Sequence, residues 1–394
     1  MRTNQTFFEE SAGAINQTDY ELGTATNYLV RFVFVGVELS RVGRQALDLG
    51  LSIPIMDEAG MVSGRQMSEV LGCTLPMSQT SEIRRAIEKG VAYLESVQLP
   101  SGEIPIDRWP TRELSGNCVP DSAVFPAALA ARALSTTSSA ERLRSRALNF
   151  LLREMEPDGL WCYPSSESPD HGYVPLDTDD TAIASTALAA AGKRFPNNRA
   201  LLLAQRERNG LFRTWIPRWL RHPRRFYRFF RNTTAEVRDV DAAINANIVV
   251  YLGDCEETRP AIEHMLAVLR ANGEEMSTKW YESRFTVWYF FSHALHSIAP
   301  QAGQMIVSRI EATAPINALE LALASSTLLL WNRVPDVGPV IEAQLPSGAW
   351  PRAGFYHCGR RRIDSQPTPP WWGSEALTTV LAVEALTRRL LVEE

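Results

Sequence analysis

Metal-binding, redox and nucleotide signatures are missing from this chain. Its cysteines, Cys73, Cys118, Cys162, Cys255 and Cys358, lie far apart with no C-x-x-C pair, which argues against a disulfide scaffold and a zinc ribbon. The six His show no H-E-x-x-H spacing, so no metal site is expected, and no P-loop or Rossmann glycine fingerprint is present. Basic excess is lacking too: 40 Lys+Arg stand against 45 Asp+Glu for a net charge of -5, which excludes nucleic acid as the expected partner. The longest apolar run, Tyr28 to Val37, is too short to span a bilayer and contains Arg31. The first twenty residues are polar and acidic, unlike a secretory signal, so a cytoplasmic location is expected. Val/Ile/Thr alternation of the kind that marks strands is scarce.

What is present can bury a sizeable core. The 394 residues are 45% hydrophobic, enough for one large domain or two modest ones. Ala- and Leu-rich stretches at Phe125–Leu134, Ile183–Ala191, Leu319–Leu330 and Glu375–Leu391 lack internal Pro and Gly and suit helices. Gly and Pro cluster instead in turns, and the turns repeat. Gln98-Leu-Pro-Ser-Gly102 recurs letter for letter as Gln344-Leu-Pro-Ser-Gly348, with Glu156-Pro-Asp-Gly-Leu-Trp161 as a looser copy. Small-residue helices open after them at Asp121-Ser122-Ala123, Asp180-Thr181-Ala182, Asp241-Ala242-Ala243 and Ser374-Glu375-Ala376. The steps from Asp121 to Asp180 and from Asp180 to Asp241 are 59 and 61 positions, room for two helices and a long loop. The expected fold is all-α: an α/α toroid of helix hairpins over residues 76–394, with small-residue helices inside and amphipathic ones outside. Residues 1–75 stand outside this pattern and are expected to form a helical extension.

The most informative stretch runs from Val174 to Gly192 and contains Asp177-Thr178-Asp179-Asp180-Thr181-Ala182. Capping alone explains part of it, because Asp177 as N-cap with Asp180 three residues on makes a capping-box-like pair at a favourable helix end. Asp179 is a third carboxyl that capping does not require. It also opens a helix rich in Ala, Ser and Thr, suited to a crowded interior.

The D-x-D-D-T-A motif, between repeats carrying Gln344-Leu-Pro-Ser-Gly348-Ala-Trp350, resembles the class II terpene cyclases over residues 80–394. The absence of D-D-x-x-D speaks against the class I magnesium chemistry, and the adjacent Asp254 and Cys255 do not form the D-x-C zinc pair of prenyltransferase β subunits. Larger class II cyclases carry two barrels, whereas this chain has room for one plus an extension. It is therefore most similar to single-domain bacterial cyclases that build meroterpenoids. The resemblance implies an intramolecular isomerase acting on a lipophilic prenylated substrate, such as a prenylated aromatic acid. Free farnesyl or geranylgeranyl diphosphate is the alternative substrate. No cofactor is implied, with Mg²⁺ needed only for a diphosphate. Asp179 would be the general acid, tuned by Asp177 and Asp180, since crowded, buried carboxyls hold a proton to higher pH. A non-catalytic toroid that binds a lipid or a protein is the reading of another class; it requires an exposed Asp177–Asp180 cap and no enclosed aromatic cavity.

A cyclase needs walls that tolerate a carbocation. The candidates are Trp109, Phe125, Trp161, Trp215, Trp280, Tyr281, Trp288, Tyr289, Phe355, Tyr356, Trp371 and Trp372, each of which could equally be ordinary core. Asp241 and Asn245, four apart on one helix face, could hydrogen-bond Asp179 or hold a water that takes the final proton. Helix capping and helix–helix bonding explain them as well, and Asp121 carries the same ambiguity. The segment Trp215–Arg231 packs six Arg among eight large apolar residues. Three readings stay open there: an interfacial entry surface meeting a membrane, an amphipathic surface hairpin, or an anion grip for the head group with Arg218, Arg221 and Arg225.

Overall fold

The computed structural model describes residues 55–57, 60–62, 79–217, 223–281, 283–358 and 370–393. The chain divides into two units, Met1–Pro76 and Met77–Glu394. In the first, β1 (Ile55–Asp57) and β2 (Gly60–Val62) pair antiparallel, with Asp57 opposite Gly60. Those strands apart, the helices expected over residues 1–75 fall outside the described residues.

The second unit is mostly helical. In chain order its helices begin with α1 (Gln79–Val97), α2 (Val124–Ala133), α3 (Glu141–Arg153), α4 (Thr178–Ala190), α5 (Arg199–Leu203), α6 (Pro223–Asn232) and α7 (Ala242–Leu252). They continue with α8 (Arg259–Ala271), α9 (Glu274–Ser277), α10 (Arg284–Leu295), α11 (Gln301–Ala312), α12 (Ala318–Leu330), α13 (Gly338–Glu342) and α14 (Glu375–Glu393).

Two kinds of helix alternate. Helices α2, α4, α7, α10, α12 and α14 are apolar or small-residued on every side, the pattern of a helix surrounded by protein. Each packs on the next in that order, and α14 packs back on α2. Helices α1, α3, α8 and α11 are amphipathic; α3 buries Leu143, Ala147, Leu148, Phe150 and Leu151 along one stripe. They back the inner set, α1 against α14, α3 against α2, α8 against α7 and α11 against α10 and α12.

Capping follows the chemistry read from the sequence at most of the inner helices. Asp177, Asp241 and Asn317 are N-caps whose side chains accept from Asp180, from Ala243 and Ile244, and from Glu320 N–H groups. The Ser374 hydroxyl accepts from Leu377 N–H at 3.0 Å. Helix α10 starts after Ser283 without a side-chain cap bond, and helix α2 departs from the acidic opening read in the sequence. Its N-cap is Ala123, which makes no side-chain cap bond; the buried Glu103 carboxylate accepts from Ala123 N–H at 3.1 Å instead. Asp121 thus takes no part in capping, which was one of its two readings.

The Gly turns clamp the hairpins. Gln98 Nε2 donates to the carbonyls of Gly102 and Leu143, and Gln344 Nε2 to those of Gly348 and Ala86, so each turn is tied to a neighbouring outer helix. Gly348 sits at φ +90° with the Lys89 carbonyl 2.5 Å from where a Cβ would stand, a place only glycine fills without strain. The aromatic residue that follows reaches the inner helix. Trp161, Phe212 and Trp350 N–H groups donate to Thr181 Oγ1, Asn245 Oδ1 and Thr379 Oγ1. Asn245 and Thr181 each lie four residues after the Asp N-cap of their helix, so the same clamp recurs in successive hairpins.

The unit also contains a four-stranded antiparallel sheet in the order β4-β3-β6-β5, where β3 is Ile106–Trp109, β4 Val119–Asp121, β5 Tyr356–His357 and β6 Trp371–Gly373. An all-α expectation omits this sheet. Its strands are two to four residues long, too short for alternation to register in the sequence.

Candidate active site

The Asp177–Asp180 motif is locked by backbone before any side chain acts. Asp177 forms isolated bridges with both Trp161 and Trp215, and Thr178 N–H donates to the Thr214 carbonyl at 2.8 Å. Asp177, Thr178, Asp179 and Asp180 are all buried. The exposed cap that the non-catalytic reading requires is not what the motif forms.

Asp179 is held by two donors from other hairpins. Asn247 Nδ2 donates to its Oδ1 and the Tyr281 hydroxyl to its Oδ2, both at 2.8 Å. Asn247 in turn accepts from Arg132 Nη1 at 3.3 Å. Burial pushes the Asp179 carboxyl up to about 7, and the charge of Asp177 adds to the rise, while the two hydrogen bonds and Arg132 oppose it. Burial also raises Asp177 to about 6 against the pull of its Asp180 bonds. Asp180 is raised by burial and then by Asp177, and its Oδ1 has no hydrogen-bond partner among the described residues. Lost hydration and like charge therefore outweigh the helix dipole, which favours the anions.

These carboxyls open onto a cavity of about 250 Å³. Its walls include Phe125, Tyr163, Trp215, Phe229, Trp280, Tyr281, Tyr356 and Trp372, with Asp121, Arg108 and Asp170 also on the lining. The rings make a continuous surface. Tyr281 stands 6.4 Å from Tyr356, which stacks on Trp372 at 5.7 Å and meets Phe125 edge-on at 5.5 Å. On the other side Trp215 meets Trp280 at 5.7 Å and Phe229 at 4.9 Å.

Several sequence candidates lie elsewhere. Trp161 is wholly buried in its turn, with Nε1 donating to the Leu151 carbonyl. Trp288 Nε1 donates to Glu274, and the Tyr289 hydroxyl to Glu384 at 2.7 Å, so both belong to polar clusters apart from the cavity lining. Trp109 and Trp371 form a separate cluster with Leu114. Phe355 packs behind the wall, against Phe125, Tyr281 and Phe290. Asp241 is spent as a cap: its Oδ1 accepts from Ala243 and Ile244, and its Oδ2 from Lys279 N–H at 2.6 Å. Asn245 braces the Phe212 turn. The expectation that the Asp241/Asn245 face would bond Asp179 is corrected: Asn247, which points toward α4, does so. Asp121 does reach the cavity.

Arg218 and Arg221, and the side chain of Arg225, lie outside the described residues. Within α6, Phe229 is buried on the cavity while Arg224, Tyr227 and Arg228 are exposed. Tyr163, Tyr173, Phe229 and Asn247 are among the lining or contacting residues that sequence reasoning did not select as site residues. Asn247 carried a signal, as a buried amide in an otherwise apolar helix. Among the described residues, no helix is long and apolar enough to cross a membrane.

No family model matches the sequence. The fold is shared with solved bacterial terpene cyclases of the type II class. A variant of type II terpene cyclase MstE from Scytonema, in complex with geranylgeranyl dihydroxybenzoate as substrate, superposes with a TM-score of 0.61 at 16% identity, covering 79% of this chain and 98% of that one. A second MstE variant, with merosterolic acid A as product, gives 0.60 at 16% identity over 80% and 99% of the two chains. A protein from Actinoplanes gives 0.58 at 15% identity over 78% and 99%.

Proposed function

We propose that this chain is a class II terpene cyclase that folds the linear prenyl chain of a prenylated aromatic acid into fused rings. The observation that carries this reading is Asp179: a buried carboxyl raised to about 7, gripped by Asn247 and Tyr281 and opening on an aromatic cavity. The fold neighbour that binds geranylgeranyl dihydroxybenzoate supports the substrate class. In this reading residues 76–394 are one catalytic domain, and the closed succession of inner helices is an α/α toroid.

Asp179 gives its proton to a terminal alkene carbon, or to an epoxide oxygen. For the alkene, the π pair becomes the new C–H bond and the neighbouring carbon becomes cationic. Asn247 and Tyr281 hold the carboxylate left behind. Each ring closes when the next alkene's π pair attacks the cation, and the chain must already be coiled for this, which is the task of the cavity walls. Phe125, Trp215, Trp280, Tyr281, Tyr356 and Trp372 supply the π faces that stabilise the charge. Each cation–π contact contributes about 0.5–2 kcal/mol. Asp177 and Asp180 keep the Asp179 proton in place until an alkene arrives. The net reaction is an isomerisation that needs no cofactor, with Mg²⁺ entering only for a diphosphate head group. We place the enzyme in the cytoplasm, with the exposed face of α6 meeting a membrane surface from which a lipophilic substrate enters.

The test is incubation of the full chain with farnesyl- and geranylgeranyl-bearing aromatic acids and with the free diphosphates, with and without Mg²⁺. A cyclic product of unchanged mass is expected from the aromatic acids without metal. Asp179→Asn is expected to abolish it while the variant still folds and melts cooperatively. Near-wild-type turnover by that variant rejects the assignment, and turnover of diphosphates alone moves the substrate class.

A further inference from the structure

A cyclase of this kind must lose a proton from its last carbocation, and the acceptor has to lie in the same cavity. Of the carboxylates and amides that could serve, Asp241 is saturated by four backbone N–H groups and Asn245 braces a turn. Neither lines the cavity among the described residues. Asp121 does, and it is one end of a connected set. Tyr163 OH donates to Asp121 Oδ2 at 3.4 Å, Tyr356 OH to Tyr163 OH at 2.9 Å, and Trp372 Nε1 to the same Asp121 Oδ2 at 2.6 Å. All four residues line the cavity. The Tyr163 hydroxyl has one hydrogen, which points to Asp121, so the hydrogen between the two phenols belongs to Tyr356. The bonds therefore run in one direction, from Tyr356 through Tyr163 to the carboxylate.

Resting on the cyclase reading, we propose that Tyr356, Tyr163 and Asp121 form the proton exit that ends the reaction. A proton leaves the carbon beside the last cation for the Tyr356 oxygen, and the C–H electron pair becomes the C=C π bond. The Tyr356 hydroxyl proton passes to the Tyr163 oxygen, and the Tyr163 proton to Asp121 Oδ2. Both phenols end as they began and Asp121 ends neutral. It is only partly buried, so it returns the proton to solvent. Trp372 fixes the carboxylate by its N–H and faces Tyr356 by its ring. Tyr281 joins the two ends of the cycle: its hydroxyl holds Asp179, where the proton enters, and its ring neighbours Tyr356, where the proton leaves.

The experiment compares the products of wild type, Asp121→Asn, Tyr356→Phe and Tyr163→Phe from the same prenylated aromatic acids, with melting curves for each. Loss of the exit should lower the share of the wild-type alkene about 100-fold or more, within the range of general-base effects. In its place should appear products heavier by one water, or alkenes with the double bond elsewhere. Tyr163→Phe removes one oxygen and decides the matter alone if Asp121→Asn does not fold. Folded variants that give the wild-type alkene in wild-type proportion overturn the exit while leaving the cyclase reading intact. A wild type that converts none of the substrates overturns the cyclase reading and the exit with it.

Discussion

Asn247 Nδ2 meets Asp179 Oδ1 at 2.8 Å across the interface of α7 and α4. Its amide cannot be turned the other way, because Arg132, which only donates, holds the Asn247 carbonyl oxygen from α2. Three neighbouring inner helices thus agree on the direction of one hydrogen bond to the acid.

Removing that donor should alter the pH profile in a definite direction. In the proposed cyclase the neutral Asp179 carboxyl is the active form, so turnover should fall as pH rises through about 7. The Asn247 bond favours the anion, and Asn247→Ala should therefore move the alkaline limb to higher pH. The same variant loses support for the carboxylate formed in the transition state. A fall in kcat of about 10–100-fold is expected, from the 1–3 kcal/mol of a buried unpaired partner. Rate measurements from pH 5 to 9 check both effects.

Stability should carry the same sign. Asp179 moves from an ordinary 3.8 to about 7 on folding, so the folded protein binds more protons than the unfolded chain between those values. This contribution is present below the lower value and is lost as pH rises through the upper one. Asp179→Asn removes the proton uptake. Its melting temperature should exceed that of wild type at pH 8 by more than at pH 5.

The glycine of the last turn is open to a plain test. Gly348→Ala puts a methyl group onto the Lys89 carbonyl at φ +90°. A loss of about 2–3 kcal/mol is expected, with product identity unchanged, read by denaturant titration and product analysis.

Aromatic residues on and off the lining should separate by readout. Phe125→Leu removes a ring from the wall and should slow turnover about 2–30-fold with altered product ratios, from the worth of one cation–π contact. Trp288→Phe breaks the bond to Glu274 away from the lining. It should cost about 1–3 kcal/mol of stability and leave the product ratios alone.

The acidic motif was legible because two explanations of it hold together. Asp177 is the helix cap that its spacing to Asp180 implies, and the third carboxyl that capping did not need is the one gripped inside. The repeating turns were legible because glycine at positive φ leaves a mark in the letters. The aromatic lining was only half legible, since Trp161 and Trp288 look like cavity residues by composition but are held by polar partners away from the lining. Tyr163 and Trp372 are brought to Asp121 by loops and two-to-four-residue strands. Pairings between segments some 250 positions apart leave no period to read. Asp121 stayed ambiguous between cap and site residue for a related reason: Glu103, eighteen residues upstream, is the carboxylate that serves the helix start.

Helix α14 is the last element of the chain, and it rests on α2, one of the first. The hollow is thus walled by segments far apart in sequence, with Trp372, just ahead of α14, reaching Asp121, just ahead of α2. Unseating α14 should therefore disable the whole molecule at once instead of wearing it down by degrees.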